Sequence, residues 1–182
     1  ARKRISKDSL GVLLSKASET VRKSEIGKRT REFIRNDQLQ PSDKFKPIRC
    51  FDVNMNKFDW NSVKGKKFTI IVGGLWCMTH GMDNSLPKQY FESIKEKYGD
   101  SHQLILYVYC NDSEEMKAEI KEFGLEGYTV ISDFKGRATP FTSIYNCQAT
   151  PTCIYTDAEG IIVNIMEGLD PNYLENEFIL KQ

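Results

Sequence analysis

The stretch Phe68-Thr69-Ile70-Ile71-Val72-Gly73-Gly74-Leu75-Trp76-Cys77-Met78-Thr79-His80 joins an almost continuously apolar, β-branched run to a short polar turn that carries a cysteine. Phe68 to Gly73 reads as a buried central strand, because a strand covered on both faces has no need of polar alternation. After the turn, Leu86, Tyr90, Phe91, Ile94 and Tyr98 recur at helical spacing, and Gly99 is a natural helix stop.

Working outward, Leu104 to Tyr109 reads as the next strand. Asp112 with Glu115 three residues later forms a capping-box-like start, Met116, Ile120 and Phe123 supply an apolar face, and Gly124 ends that helix. Thr129 to Ser132 is a short strand, Lys135 to Tyr145 has no decisive period, and Cys153–Thr156 and Ile161–Met166 flank Asp157-Ala158-Glu159-Gly160 as a hairpin. Asp170-Pro171 offers a cap and a first-turn proline for a last helix with Leu174 and Phe178 facing inward. Upstream, Ile48 to Val53 reads as a first strand, and a loop around Lys64-Gly65-Lys66 leads into the central one. This alternation of strands and helices implies an α/β domain, a mixed sheet covered on both faces.

The first 45 residues differ in texture. Leu10, Leu13, Leu14, Ala17 and Val21 form one stripe of an amphipathic helix that Asp8 or Ser9 can cap. A second helical piece starts at Ser24, carries Ile26, Phe33 and Ile34 on one side, and runs to Asn36 before Pro41. Residues 1–35 hold 11 Lys and Arg against 4 Asp and Glu, whereas the other 147 hold 15 against 21. Because the cations are interleaved with Leu, Val and Ile, they read as a solvated helical face and not as a nucleic-acid arm. We therefore divide the chain into a basic helical extension, residues 1–45, and one domain, residues 46–182, and expect no nucleic-acid partner. Of the 182 residues, 40% are apolar and 28% charged, which excludes disordered and low-complexity classes. No run approaches the roughly 18 to 20 apolar residues of a membrane-spanning helix, so no membrane-spanning segment is expected. Arg2-Lys3-Arg4 leads into no unbroken apolar region, so with Ala1 at its head the chain is expected to be processed.

Trp76-Cys77-Met78-Thr79-His80, between a central strand and a helix, resembles the Trp-Cys-x-x-Cys site of thioredoxin-like proteins. Phe58 to Lys66, closing on Lys64-Gly65-Lys66, is similar to the segment that leads into that strand in the TlpA and ResA-like branch. Ala149-Thr150-Pro151-Thr152, followed by Ile154 to Gly160, resembles the branch's cis-proline, strand and Asp-x-x-Gly hairpin. The likeness spans about residues 46 to 180. It implies a thioredoxin-like fold and a thiol-disulfide oxidoreductase, with protein or small-molecule thiols and disulfides as partners and no cofactor. It also implies a bacterial periplasm or cell-envelope location. Cys77 is then the single nucleophile, His80 its catalytic neighbour, and Trp76, Thr150 and Pro151 the substrate-binding residues.

Two departures qualify the expected chemistry. His80 stands where the family has its resolving cysteine, so the usual intramolecular disulfide of Cys77 cannot form. A protonated histidine favours the neighbouring thiolate, giving a one-cysteine site that depends on an outside thiol. Gly81, Asp83, Asn84 and Ser85 before Pro87 resemble a loop and cap, which would place Cys77 on a loop with less dipole stabilisation. The alternative is a redox-inactive binding domain that keeps the fold and its peptide groove. Cys50, Cys110, Cys147 and Cys153 read as buried structural thiols, with a Cys147–Cys153 or Cys77–Cys147 bridge as the sharper reading. His80 and His102 are the only histidines, and Cys77 with His80 supplies two ligands and no third, so no metal is expected. Ile70 to Trp76 lack the Pro-x-x-x-Thr-x-x-Cys arrangement of peroxiredoxins, and Gly73-Gly74-Leu75-Trp76 is no phosphate loop.

Overall fold

The computed structural model describes residues 5–73 and 86–168. Three helices, α1 (Lys7–Lys16), α2 (Glu19–Lys23) and α3 (Glu25–Arg35), precede an irregular stretch that leads into β1 (Lys67–Val72). There follow α4 (Leu86–Tyr98), β2 (His102–Tyr107), α5 (Ser113–Glu122), β3 (Thr129–Ile131), α6 (Pro140–Ile144), β4 (Thr152–Thr156) and β5 (Ile162–Glu167). The strands form one sheet in the order β3-β2-β1-β4-β5. β1 pairs parallel with β2 and antiparallel with β4, Ile70 lying opposite both Ile105 and Ile154.

Alternation along the central strands splits the core in two. Phe68, Ile70, Val72, Ile105, Tyr107, Ile131 and Ile154 face Phe141, Ile144 and Tyr145 of the α6 segment. Ile71, Leu106, Val130, Cys153 and Tyr155 face the opposite way, onto Phe91 and Ile94 of α4 and Met116 of α5. β1 is buried over residues 68–72, the result expected of a strand whose two faces are both covered.

The helix starts follow from capping chemistry. Asp112 caps α5, its carboxylate accepting from the backbone N–H groups of Glu114 and Glu115, and Gly124 closes the helix in the left-handed region at φ 62°. Thr139 caps α6 with Pro140 at the first helical position, so the undecided 135–145 segment is a 3-10 turn, Gly136–Ala138, followed by a short helix. The Asp157–Gly160 hairpin forms as expected between β4 and β5. β2 begins two residues before the expected start. The last helix expected from Asp170 lies outside the described residues.

Two expectations need correction. Ile48 to Val53 is not a strand: Phe51 makes only isolated bridges, to Lys57 and to Ser132. Pro47 brings no N–H, the carbonyl of Ile48 accepts from the Trp60 indole at 2.7 Å, and Asp52 closes a turn to Asn56, so no ladder propagates. Ile48 and Cys50 are buried all the same, which explains a strand-like sequence pattern without a strand. Nor is the first stripe one helix. Ser6, not Asp8 or Ser9, caps α1, and Ala17 turns extended before Ser18 caps α2 on the N–H of Val21. Leu13 and Val21 remain about half exposed, so the stripe is not a buried face; in the second piece Ile26 is 73% exposed as well.

What holds the extension is α3. Lys7 of α1 donates to the carbonyl of Asn36 and pairs with Asp37 at 2.9 Å. Gly27 sits so close to α2 that a Cβ there would lie 2.2 Å from the carbonyl oxygen of Val21. Residues 39–45, on the extension side of the sequence boundary, are bonded into the domain. Leu39 donates to the carbonyl of Ile144 and Phe45 to that of Gly160, and the Tyr145 hydroxyl accepts from the N–H of Lys46 and donates to its carbonyl.

Candidate active site

The end of the central strand fixes the point from which the chain continues toward Cys77. Gly73, the residue after β1, takes φ +142° and donates to the carbonyl of Tyr107 at 3.0 Å. A Cβ on it would lie 2.9 Å from Cβ of Thr150, closer than real Cβ contacts come, and a tight 3.3 Å from Cα of Pro151. Only glycine therefore allows the end of β1 to press against the start of β4. The structure thus brings the Thr150–Pro151 segment against Gly73, three to seven residues before Trp76, Cys77 and His80 in the sequence. Those three residues lie outside the described residues.

The Thr150–Pro151 peptide bond is cis. Pro151 is buried and Thr150 half-buried. The Pro151 carbonyl accepts from the N–H of Gly168 at 2.8 Å, and the Thr152 hydroxyl donates to the carbonyl of Ala149 at 2.7 Å. These bonds fix the chain on both sides of the proline and hold it at the end of the sheet where β1 delivers Gly73.

The other four cysteines are buried free thiols. Cys147 packs with the cluster that contains Phe141, and Cys153 with the one that contains Phe91, on opposite faces of the sheet. That placement overturns a Cys147–Cys153 bridge, while the Cys77–Cys147 alternative involves a residue outside the described ones. Cys147 donates weakly to the carbonyl of Phe141 at 3.5 Å, Cys153 to that of Gly168 at 3.3 Å. Burial pushes the thiols of Cys147 and Cys153 up to about 12 and that of Cys110 to about 11, and it raises Cys50 further still. At neutral pH these four are protonated and poor nucleophiles.

Two features near the sheet were not read from the sequence. Tyr107, which resembles any apolar strand residue, donates its hydroxyl to the buried carboxylate of Asp133 at 2.5 Å, and burial raises the Asp133 pKa. Gly73 itself was read only as the end of a strand, and nothing local in the sequence names Thr150 as its neighbour. His102 lies at the other end of the sheet. Its Nε2 is 2.8 Å from the Thr69 hydroxyl, and burial lowers its pKa to about 4, so it is a neutral core residue at pH 7. Among the described residues no three His, Cys, Asp or Glu side chains are grouped to hold a metal, and no helix is long and apolar enough to cross a membrane.

No family model and no curated protein matches this chain. Solved structures do. A domain of a possible thiol-disulfide isomerase from Cytophaga hutchinsonii superposes with a TM-score of 0.63 at 18% identity, covering 80% of this chain and 95% of that one. A thiol-disulfide oxidoreductase from Bacteroides fragilis gives 0.60 at 13% identity, covering 77% and 99%. A thiol peroxidase from Chromobacterium violaceum gives 0.58 at 12% identity, covering 80% and 89%. The fold of this chain is thioredoxin-like: a mixed sheet with helices on both faces, preceded by N-terminal helices.

Proposed function

We propose that this chain is a thiol-disulfide oxidoreductase of the TlpA and ResA-like type, with Cys77 as its one nucleophile and His80 in the resolving position. The observation that carries the reading is the close approach of Gly73 to Thr150 and Pro151. Cys77 follows Gly73 by four residues, so chain connectivity keeps its Cα within about 15 Å of that junction. Burial of the other four thiols leaves Cys77 as the candidate. The fold shared with thiol-disulfide oxidoreductases adds support, and the presence of a thiol peroxidase among the neighbours is why the motif, not the fold, selects disulfide chemistry. A bacterial envelope location accords with a further neighbour, a secreted Mycobacterium tuberculosis disulfide oxidoreductase, TM-score 0.52.

In this reading the Cys77 thiolate attacks one sulfur of a partner disulfide, forming a mixed disulfide and releasing the partner's other sulfur as a thiolate. Trp76, Thr150 and Pro151 border the extended substrate segment. A thiolate from solution then attacks the partner-side sulfur of the adduct, regenerating the Cys77 thiolate and leaving a disulfide between that thiol and the partner. The same burial that singles out Cys77 also favours the second reading, a redox-inactive binding domain, because none of the four described cysteines is exposed to resolve an adduct.

Reduction of insulin disulfides separates the two. Turnover is expected with added glutathione, falling to background in Cys77→Ser and in the absence of the outside thiol. Equal rates for Cys77→Ser and the unaltered chain, or no turnover in either condition, would leave only the binding domain.

A further inference from the structure

We infer that the cleft between α3 and the turn after β3 binds a compact anion carrying two or more carboxylate or phosphate groups. α3 packs on α6 and on the Gly136–Ala138 turn. Between them lies a cleft of about 370 Å³ walled by Lys28 and Arg31 of α3, by Lys135, and by Asn111 from the loop after β2. Both loops leave the carboxyl ends of their strands, Tyr107 of β2 and Ile131 of β3, which is where open α/β sheets place ligands.

The charges in this cleft are not spent on one another. Among the described residues the Lys28 ammonium has no ion pair or hydrogen bond and is exposed. Arg31 uses one N–H on the carbonyl of Arg22 at 3.3 Å, which fixes its guanidinium and leaves most of its five donors for a ligand. Lys135 lies 3.8 Å from the buried Asp133 carboxylate, with its side chain 56% exposed. The one acid on the wall, Glu32, is directed to Arg35 at 3.8 Å and to the Asn36 amide at 3.2 Å. Arg137, over the Tyr109 ring, adds a further cation on the same turn.

The cleft is also preformed. Gly136 takes φ +52°, and a Cβ there would lie 3.1 Å from Oδ1 of Asn111, so the turn passes tightly around that amide. Glu115 holds Asn111 in place, accepting from its backbone N–H at 2.7 Å and its side-chain amide at 3.2 Å. Like charges delivered by two separate elements into one concave space repel each other, and among the described residues only Lys135 of the three cations has a carboxylate, Asp133, beside it. An anion turns the repulsion into attraction, in a recess whose walls focus the field. The small volume suits a compact ligand and not a polymer. Carboxylate and phosphate offer the same chemistry to Lys and Arg, and the test separates them.

The test is calorimetric titration of the full chain with citrate and, separately, with pyrophosphate at low ionic strength. The inference stands apart from the thiol reading, because binding is measured and not turnover. One-site binding of at least one anion is expected, and the tighter of the two identifies the ligand chemistry. The double variant Lys28→Gln/Lys135→Gln should weaken it about tenfold or more, and Lys28→Gln alone, which leaves the Lys135–Asp133 pair intact, should weaken it with an unchanged melting temperature. Lys57→Gln/Lys64→Gln, on the loops before β1, should leave it as it was. Three results would each overturn the inference: no saturation with either anion up to about 10 mM, equal affinity in the Lys28/Lys135 variant, or tighter binding of a short single-stranded DNA than of both anions.

Discussion

Phe45→Ala is expected to lower the stability of the protein by about 4 kcal/mol, the middle of the usual range for deleting a buried phenyl ring. Phe45 is 8% exposed and central to an aromatic cluster. Its ring stacks on Tyr145 at 5.4 Å, meets Phe68 edge-on at 5.2 Å and lies 5.1 Å from Trp60. Partial collapse is resisted on each side, because Tyr145 is pinned to Lys46 through its hydroxyl and Trp60 to Ile48 through its indole N–H. Urea unfolding measures the loss, and a change under about 1.5 kcal/mol would mean the site can close over the cavity. Truncation separates the same idea by position. A chain beginning at residue 38 keeps Phe45 and should retain cooperative unfolding, whereas one beginning at residue 47 should not.

The second large effect is expected at Gly73. Gly73→Ala places a methyl group 2.9 Å from Cβ of Thr150 in a backbone region that L-residues rarely adopt, a cost of about 3 kcal/mol. Gly65→Ala is the matched comparison: its φ of +78° is also positive, but nothing lies within 4 Å of the added carbon, and about 1 kcal/mol is expected. The difference between the two isolates the contact from the conformation. Relief in the double variant Gly73→Ala/Thr150→Gly would tie the loss to Thr150, since residues in contact do not add independently. Equal losses at Gly73 and Gly65, with no coupling to Thr150, would remove the junction on which the proposed site rests.

Periodicity and capping made the two-sided sheet, α4 and α5 readable, because the signals are local: Phe68 to Val72 is apolar on both faces, Asp112 precedes its helix, and Gly124 ends it, whereas α6 lies in a segment with no decisive period. Ile48 to Val53 misled because burial of Ile48 and Cys50 produces a strand's alternation, while Trp60 and Ser132, far away in sequence, decide the hydrogen bonds. The extension misled for the converse reason. An unbroken apolar stripe promised one helix, but Ser18 offered a better cap than another helical turn, and Leu13 found no core to enter. At the candidate site the cysteine, the histidine and the Thr150-Pro151 pair could be picked out by residue type and spacing. The approach of Gly73 to Thr150 could not, because 77 residues separate them and only the β1–β4 register joins their ends. The basic cleft was hidden in a similar way. Lys28 and Arg31 resemble the solvated face of α3 until the fold sets Lys135 and Asn111 against them.

The most direct measurement is the rate of iodoacetamide labelling at each of the five cysteines of the native protein as a function of pH, read by mass spectrometry. Cys77 is expected to label first, with a midpoint below the free-cysteine value of about 8.5 that rises in His80→Ala. Cys50, Cys110, Cys147 and Cys153 should remain unlabelled until the protein is unfolded, as their burial requires. A Cys77 midpoint at or above about 8.5 that is indifferent to His80, or faster labelling at any of the other four, would contradict Cys77 as the nucleophile.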